Sequence, residues 1–208
     1  MKKLLHIVAT PREDESRTLR VAGAFLETFQ QQHPDWTVDE LNLPQEKLPD
    51  LGLKSVGGKY VLLNGKDLFG RLKEEWLEIV QHIERFLSAD LYLISTPMWN
   101  FHIPYMLKHY IDIIVQPKYL FRYTDQGVAE GLVTNRKMVV ITSRGGTYDS
   151  EATHPLDYQE PYLRTIFGFV GITDINFIIA QPMDVSAEIR EQKLAEAMDA
   201  AKKLALRY

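Results

Sequence analysis

The sequence predicts an α/β fold, a doubly wound parallel sheet with helices on both of its faces. Two observations carry this. Short apolar runs alternate along the chain with longer stretches in which apolar residues recur at helical spacing. Most of the runs are continuous, which suits strands buried on both faces better than strands with one wet face.

In chain order, residues 3–9 (KLLHIVA) are the first run, followed by a polar stretch. A helix is expected from about residue 16 to 33, with Leu19, Ala22, Leu26 and Phe29 on its apolar face. Residues 36–43 (WTVDELNL) alternate well enough for a strand. Residues 44–65 contain Pro49, Gly52, Gly57 and Gly58 and read as a long irregular excursion. Over 66–88, Leu68, Leu72, Trp76, Ile79 and Ile83 mark one amphipathic helix. A buried strand follows at 90–95, then a helix over about 103–116 carrying Ile103, Leu107, Tyr110 and Ile114. A hairpin excursion is expected at about 118–133, around Asp125-Gln126-Gly127. The strand at 138–143 (MVVITS) leads into a loop over 144–158 and a short helix with Leu163, Ile166, Phe167 and Val170. DINFIIA supplies a fifth strand, and 186–206 a closing helix. No repeat, low-complexity tract or linker interrupts the pattern, so residues 1–208 are expected to form one domain on a five-stranded sheet.

Composition narrows the function classes. A formal charge of −4, with Lys and Arg scattered, offers no basic face to nucleic acid. Cysteine is absent, which excludes disulfides, thiolate metal ligands and a cysteine nucleophile. His102 and His109 share a helical face but no carboxylate pattern joins them, so no metal site is expected. The apolar runs fall well short of the roughly 18 residues that cross a bilayer, and no signal-peptide pattern opens the chain. The expectation is a cytoplasmic protein with neither membrane nor nucleic-acid partners.

Parallel sheets bind ligands beyond the carboxyl ends of their strands, so the loops there matter most. After the first strand come Thr10 and then Ser16-Arg17-Thr18, where a helix begins. Hydroxyls beside the free N–H groups of a helix start suit a phosphate, although Ser16 also makes sense as a simple N-cap. Neither GxGxxG nor GxxxxGK[ST] occurs, which favours a compact phosphomonoester over a tightly held dinucleotide or triphosphate. The next loop is Pro97-Met98-Trp99-Asn100-Phe101. Its aromatics either tuck beneath the turn or face a planar ligand, with Asn100 free to bond a heterocycle edge. Ser143-Arg144-Gly145-Gly146 closes the set; paired glycines permit close backbone approach, and are also common in ordinary turns.

At these residues the chain resembles the FMN-dependent NADH-azoreductases, a flavodoxin-like family that also reduces quinones. PMWNFHIPYMLKHYID is similar to the family's aromatic turn and following helix, FRYTDQGVAEGLV to its hairpin, KMVVITSRGG to its glycine loop, and YLRTIFGFVGITDINFIIAQ to its last helix and strand. The likeness spans most of residues 66–182, with the first strand and phosphate loop. It implies a flavodoxin-like FMN-binding domain, with Thr10, Ser16, Arg17 and Thr18 on the FMN phosphate. Pro97, Met98, Trp99, Asn100 and Phe101 would line the ribityl chain and ring, and Ser143, Arg144, Gly145 and Gly146 the pyrimidine edge. It also implies a homodimer with the site at its interface, where Tyr123 and Phe169 reach substrate in the partner's site. Thr10 stands where the family generally has Ser, Trp99 where Tyr is common, and His102 is unusual there.

The implied activity is two-electron transfer from NADH or NADPH, through FMN, to a quinone or azo acceptor, with an azo bond needing two rounds. The flavin carries the chemistry, so no catalytic side chain is required; His102 or Tyr123 could supply a proton. On the residues alone, a flavodoxin-type electron carrier and a flavin-free binding module on the same fold stay open.

Overall fold

A computed structural model describes residues 2–208. Its strands are β1 (Lys3–Val8), β2 (Thr37–Asn42), β3 (Leu91–Ser95), the hairpin pair β4 (Phe121–Tyr123) and β5 (Ala129–Gly131), β6 (Lys137–Ser143) and β7 (Asp174–Ala180). The helices are α1 (Arg17–Gln32), α2 (Leu53–Leu63), α3 (Gly70–Glu75), α4 (Leu77–Leu87), α5 (Tyr105–Ile114), α6 (Gln159–Phe169) and α7 (Ala187–Ala205). Five strands form one sheet in the order β2-β1-β3-β6-β7, and every pairing is parallel. The parallel sheet expected from the continuous apolar runs is therefore present.

Side-chain alternation splits the core into two layers. Leu5 and Ile7 of β1, Tyr92 and Ile94 of β3, and Met138 and Val140 of β6 face α4, α5 and α6. Leu4, Leu93, Val139 and Ile141 face the opposite way, onto Phe25 and Phe29 of α1 and Ala197 and Ala201 of α7. Small residues on α7 let it lie close to α1. Burying both faces removes apolar area from water at roughly 25 cal/mol per Å², the dominant stabilising term in a fold of this kind. The register aligns the strand ends: Val8 pairs with Ser95, Ser95 with Ile141, and Ile141 with Ile178. The loops beginning at residues 9, 96 and 144 thus leave the sheet along one edge.

Two expectations fail between β2 and β3. Residues 44–65 are not irregular throughout; they contain α2. Its glycines suggested a breaker, but Gly58 is there for packing, since a Cβ would lie 2.1 Å from the Trp76 indole nitrogen. The single helix expected over 66–88 is two helices, α3 and α4, that meet at the buried Trp76, which is the C-cap of the first and the N-cap of the second. The hairpin follows the expectation, with Phe121 opposite Gly131 and Tyr123 opposite Ala129. Among the described residues no helix is long and apolar enough to cross a membrane.

Candidate functional site

Strand order reverses between β1 and β3, the point at which open α/β sheets bind ligands. A cavity of about 200 Å³ opens there, bordered by the loops that follow β1, β3, β6 and β7. Buried polar side chains concentrate around it, among them Thr10, Ser16, Thr18, Thr142, Arg144 and Gln159.

One wall is a cradle of hydroxyls. Ser16 caps α1, its Oγ accepting the Leu19 N–H at 3.3 Å, and donates in turn to Thr10 Oγ1 at 3.2 Å. Thr18 Oγ1 lies 2.7 Å from Ser143 Oγ, joining the helix start to the end of β6. The first N–H groups of α1 have no acceptor within the helix and carry the positive end of its dipole. Arg12 and Arg17 add cations to this wall. Glu13, Asp14 and Glu15 form a short 3-10 turn whose side chains are all exposed, so the acidic run does not face the cavity.

The second wall is the turn after β3. Its position is fixed by the Met98 N–H, which donates to the Ser143 carbonyl at 3.0 Å. Trp99 and His102 exchange backbone hydrogen bonds of 2.8 and 2.9 Å across Asn100 and Phe101. Both central residues sit at positive φ, 48° and 68°. For a phenylalanine that conformation costs on the order of 1–3 kcal/mol, and such strain gathers at binding sites. The open choice for the aromatics resolves unevenly. Trp99 is half-buried on the core and lines the cavity, whereas Phe101 is 44% exposed and meets Tyr148 edge-on.

The glycine loop closes the third side. A Cβ on Gly145 would sit 2.4 Å from Asp184 Oδ2. The Gly145 carbonyl also accepts the N–H groups of Met183 and Asp184, at 2.9 and 3.0 Å. Gly146 has open space, with nothing nearer to its Cβ position than Tyr148 at 3.9 Å. Asp184 reaches back to the cradle, where Arg17 Nη1 donates to its Oδ1 at 3.1 Å. Arg144 points inward, into a buried ion pair with Asp157.

Of the residues expected from sequence, Thr10, Ser16, Arg17, Thr18, Pro97, Met98, Trp99, Ser143, Arg144 and Gly145 come together around one void. Asn100, Phe101 and Gly146 adjoin it in the chain without lining it. His102 also stays off the lining; its Nδ1 accepts the Ile103 N–H at 2.8 Å and its ring packs 4.8 Å from that of Tyr162. Burial, and then the Lys108 charge, hold its pKa below the ordinary histidine value. Tyr123 and Phe169 meet instead around Phe121, at 5.8 and 4.7 Å between rings. Sequence reasoning missed Arg12, Met183 and Asp184 on the lining and Asp157 and Gln159 behind it. Met183 and Asp184 follow β7, and the rule that singled out the other strand ends applies equally to that one.

No histidine lines the cavity, and its one carboxylate is Asp184. The arrangement offers binding groups: donors for an anion, an aromatic wall, and a backbone close enough to touch a ligand. A phosphomonoester on a planar heterocycle matches that set.

Comparison with known proteins points the same way. The flavodoxin-like fold family matches residues 2–205. An FMN-dependent NADH:quinone oxidoreductase of Desulfotalea psychrophila is 38% identical, with 98% of each chain covered. Among solved structures, an azoreductase of Bacillus anthracis superposes with a TM-score of 0.90 at 27% identity, covering 100% of both chains. An FMN-dependent NADH-azoreductase of the same species, in complex with FMN, gives 0.84 at 30% identity, covering 99% of this chain and 100% of its own.

Proposed function

The chain belongs to the flavodoxin-like fold family, and we propose that it is an FMN-dependent NADH:quinone oxidoreductase that also reduces azo compounds. The observation that carries the reading is the cradle, where buried Thr10, Ser16 and Thr18 meet the start of α1 within a cavity that Trp99 and Gly145 also line. Relatives sharing a third or more of their residues over full length bear that activity in their names.

When bound, FMN supplies the two-electron chemistry between the nicotinamide donor and the acceptor. The residues present fit it. Thr10, Ser16 and Thr18, with the N–H groups at the start of α1, would hold its phosphate, and Arg17 would add a charge-assisted contact. A cavity of about 200 Å³ is smaller than the roughly 300–1,000 Å³ that encloses a whole drug-sized ligand. It suits the phosphorylated tail, and leaves a ring system accessible to NADH and quinone in turn. Trp99 gives that ring an apolar surface, and Arg144 with the Gly145 loop borders its polar edge.

The same reading makes the molecule a cytoplasmic homodimer whose site is completed by a second copy. Supporting a second copy, exposed apolar side chains on α2 and at the start of α3, such as Leu53 at 90%, Tyr60 at 62% and Phe69 at 77%, have no cover within the chain. Tyr123 and Phe169, gathered on Phe121, would act in the partner's site.

The test is direct. Purified protein supplied with FMN should be yellow, bleach on anaerobic addition of NADH, and recover its colour when a simple benzoquinone is added. Failure to take up FMN would overturn the reading. Uptake without bleaching would leave an electron carrier.

A further inference from the structure

Behind the glycine loop, Arg144 belongs to a buried ionic cluster with Asp157 and Gln159. Arg144 is 2% exposed, although it lines the cavity with its neighbours Ser143 and Gly145. Its Nη1 lies 2.9 Å from Asp157 Oδ2, and its Nε donates to Gln159 Oε1 at 3.2 Å. Both partners are themselves pinned. Asp157 Oδ1 accepts the N–H groups of Gln159 and Glu160, at 3.0 and 3.1 Å, at the start of α6. Gln159, fully buried, accepts from Thr142 Oγ1 at 2.9 Å and donates from Nε2 to the Pro97 carbonyl at 2.9 Å. One amide side chain therefore ties the turn after β3, the end of β6 and α6 to the same guanidinium.

Nη2 of Arg144 has no hydrogen-bond partner, although it is buried; the guanidinium otherwise meets the Tyr148 ring, 5.9 Å from its centre. A guanidinium offers five donors in a fixed fork, and orphaning the donors of one nitrogen away from water is costly. If the cluster only joined loops, a well-packed apolar group would do so at no electrostatic cost. A buried cation held rigidly beside a ligand cavity has a different use: in a water-excluded site its field acts at far greater strength than in solvent.

We infer that Asp157 and Gln159 are positioning residues that hold Arg144 behind the glycine loop, where its charge acts on the polar edge of the bound FMN ring, and that Asp157 sets the cofactor's reduction potential by offsetting the Arg144 charge. The inference rests on the flavin reading above. Its sign follows from charge. Reduced FMN carries more negative charge on its ring than oxidised FMN, so Arg144 favours the reduced form and Asp157 opposes it.

Asp157→Asn keeps the acceptor that caps α6, since Asn serves that position as well as Asp, and removes only the charge. The holoenzyme's midpoint potential, measured by equilibration with reference dyes, should rise. The expected size is a reduced form bound about tenfold tighter relative to the oxidised form, which is about 30 mV for a two-electron couple. Affinity for oxidised FMN, read by quenching of its fluorescence, should stay within about threefold. Arg144→Gln should shift the potential the other way by a similar factor, and the double variant should return near the parent value. Opposite signs that cancel are what a charge pair produces and what mere loosening of the loops does not. Should Asp157→Asn not fold alone, the same step is read between Arg144→Gln and the double variant. A potential that stays fixed, or falls in both single variants while FMN remains bound, overturns the inference. Failure of the parent protein to bind FMN instead overturns the flavin reading, and this inference with it.

Discussion

On one side of the cavity Thr10, Ser16, Thr18 and Ser143 bond largely to one another, through contacts of 3.2 and 2.7 Å. On the other, Arg144, Asp157 and Gln159 are held by amides, a carbonyl and an ion pair that cannot rotate. A hydroxyl has one donor and two acceptor sites, so each member of the cradle can turn from its neighbour to a ligand without leaving an orphan. The ionic corner has no such freedom, because any change in Arg144 strands a buried partner. The difference suggests a division of labour, with the cradle recruiting the ligand's tail and the corner fixing the electrostatics at its ring.

If both walls serve one ligand, filling the ground between them should do more harm than weakening either. Gly145→Val is the test. In the free protein the nearest atoms to the added Cβ are those of the exposed Asp184 side chain, whose carboxylate can swing aside. The fold should therefore survive, with a far-UV spectrum like the parent's. FMN binding should weaken by about 100-fold or more, because the backbone is no longer open to close approach. Gly146→Val, which faces open space, should do much less. Equal effects would mean that the loop is a turn and not a contact surface.

The two walls were unequally legible in the sequence. Thr10, Ser16 and Thr18 fall within nine positions, at a strand end running into a helix start, so local chemistry alone points to them. Asp157 and Gln159 sit where the chain reads as plain loop and helix onset, and nothing local ties them to Arg144. Only the folding of α6 against the end of β6 brings them within reach. The sheet itself was legible because burial on both faces leaves a continuous apolar signature. The least legible part of the fold was α2, because Gly52 and Gly58 look like breakers when read one residue at a time. The need for Gly58 comes from Trp76, 18 positions away in the chain and buried against it.

A milder break falls within the cradle. Thr18→Val keeps the shape of the side chain and removes the 2.7 Å contact with Ser143. Ser143 can find another partner, so the stability loss should be about 1 kcal/mol in urea unfolding. Affinity for FMN should fall about tenfold, in keeping with the loss of one hydrogen bond to a charged group. The midpoint potential should barely move, since a hydroxyl at the phosphate end contributes no charge at the ring. A large shift in potential from this variant would erase the division of labour between the walls.

The smallest expected effect comes from the residue that bridges the two walls. Asp184 is exposed, yet it lines the cavity and accepts from Arg17 at 3.1 Å. In the proposed complex that carboxylate would stand near a phosphate dianion and compete with it for the same guanidinium. Asp184→Asn removes the like charge and frees Arg17. FMN should then bind about threefold tighter at low salt, a modest gain because water screens an exposed charge. The gain should shrink towards nothing at about 1 M salt, where the Debye length is near 3 Å. Titrating FMN at both ionic strengths separates this from its opposite. If the Asn variant binds more weakly at low salt, Asp184 is not a competitor; it holds Arg17 in place for the phosphate, and the cradle is more preorganised than its free-turning hydroxyls suggest.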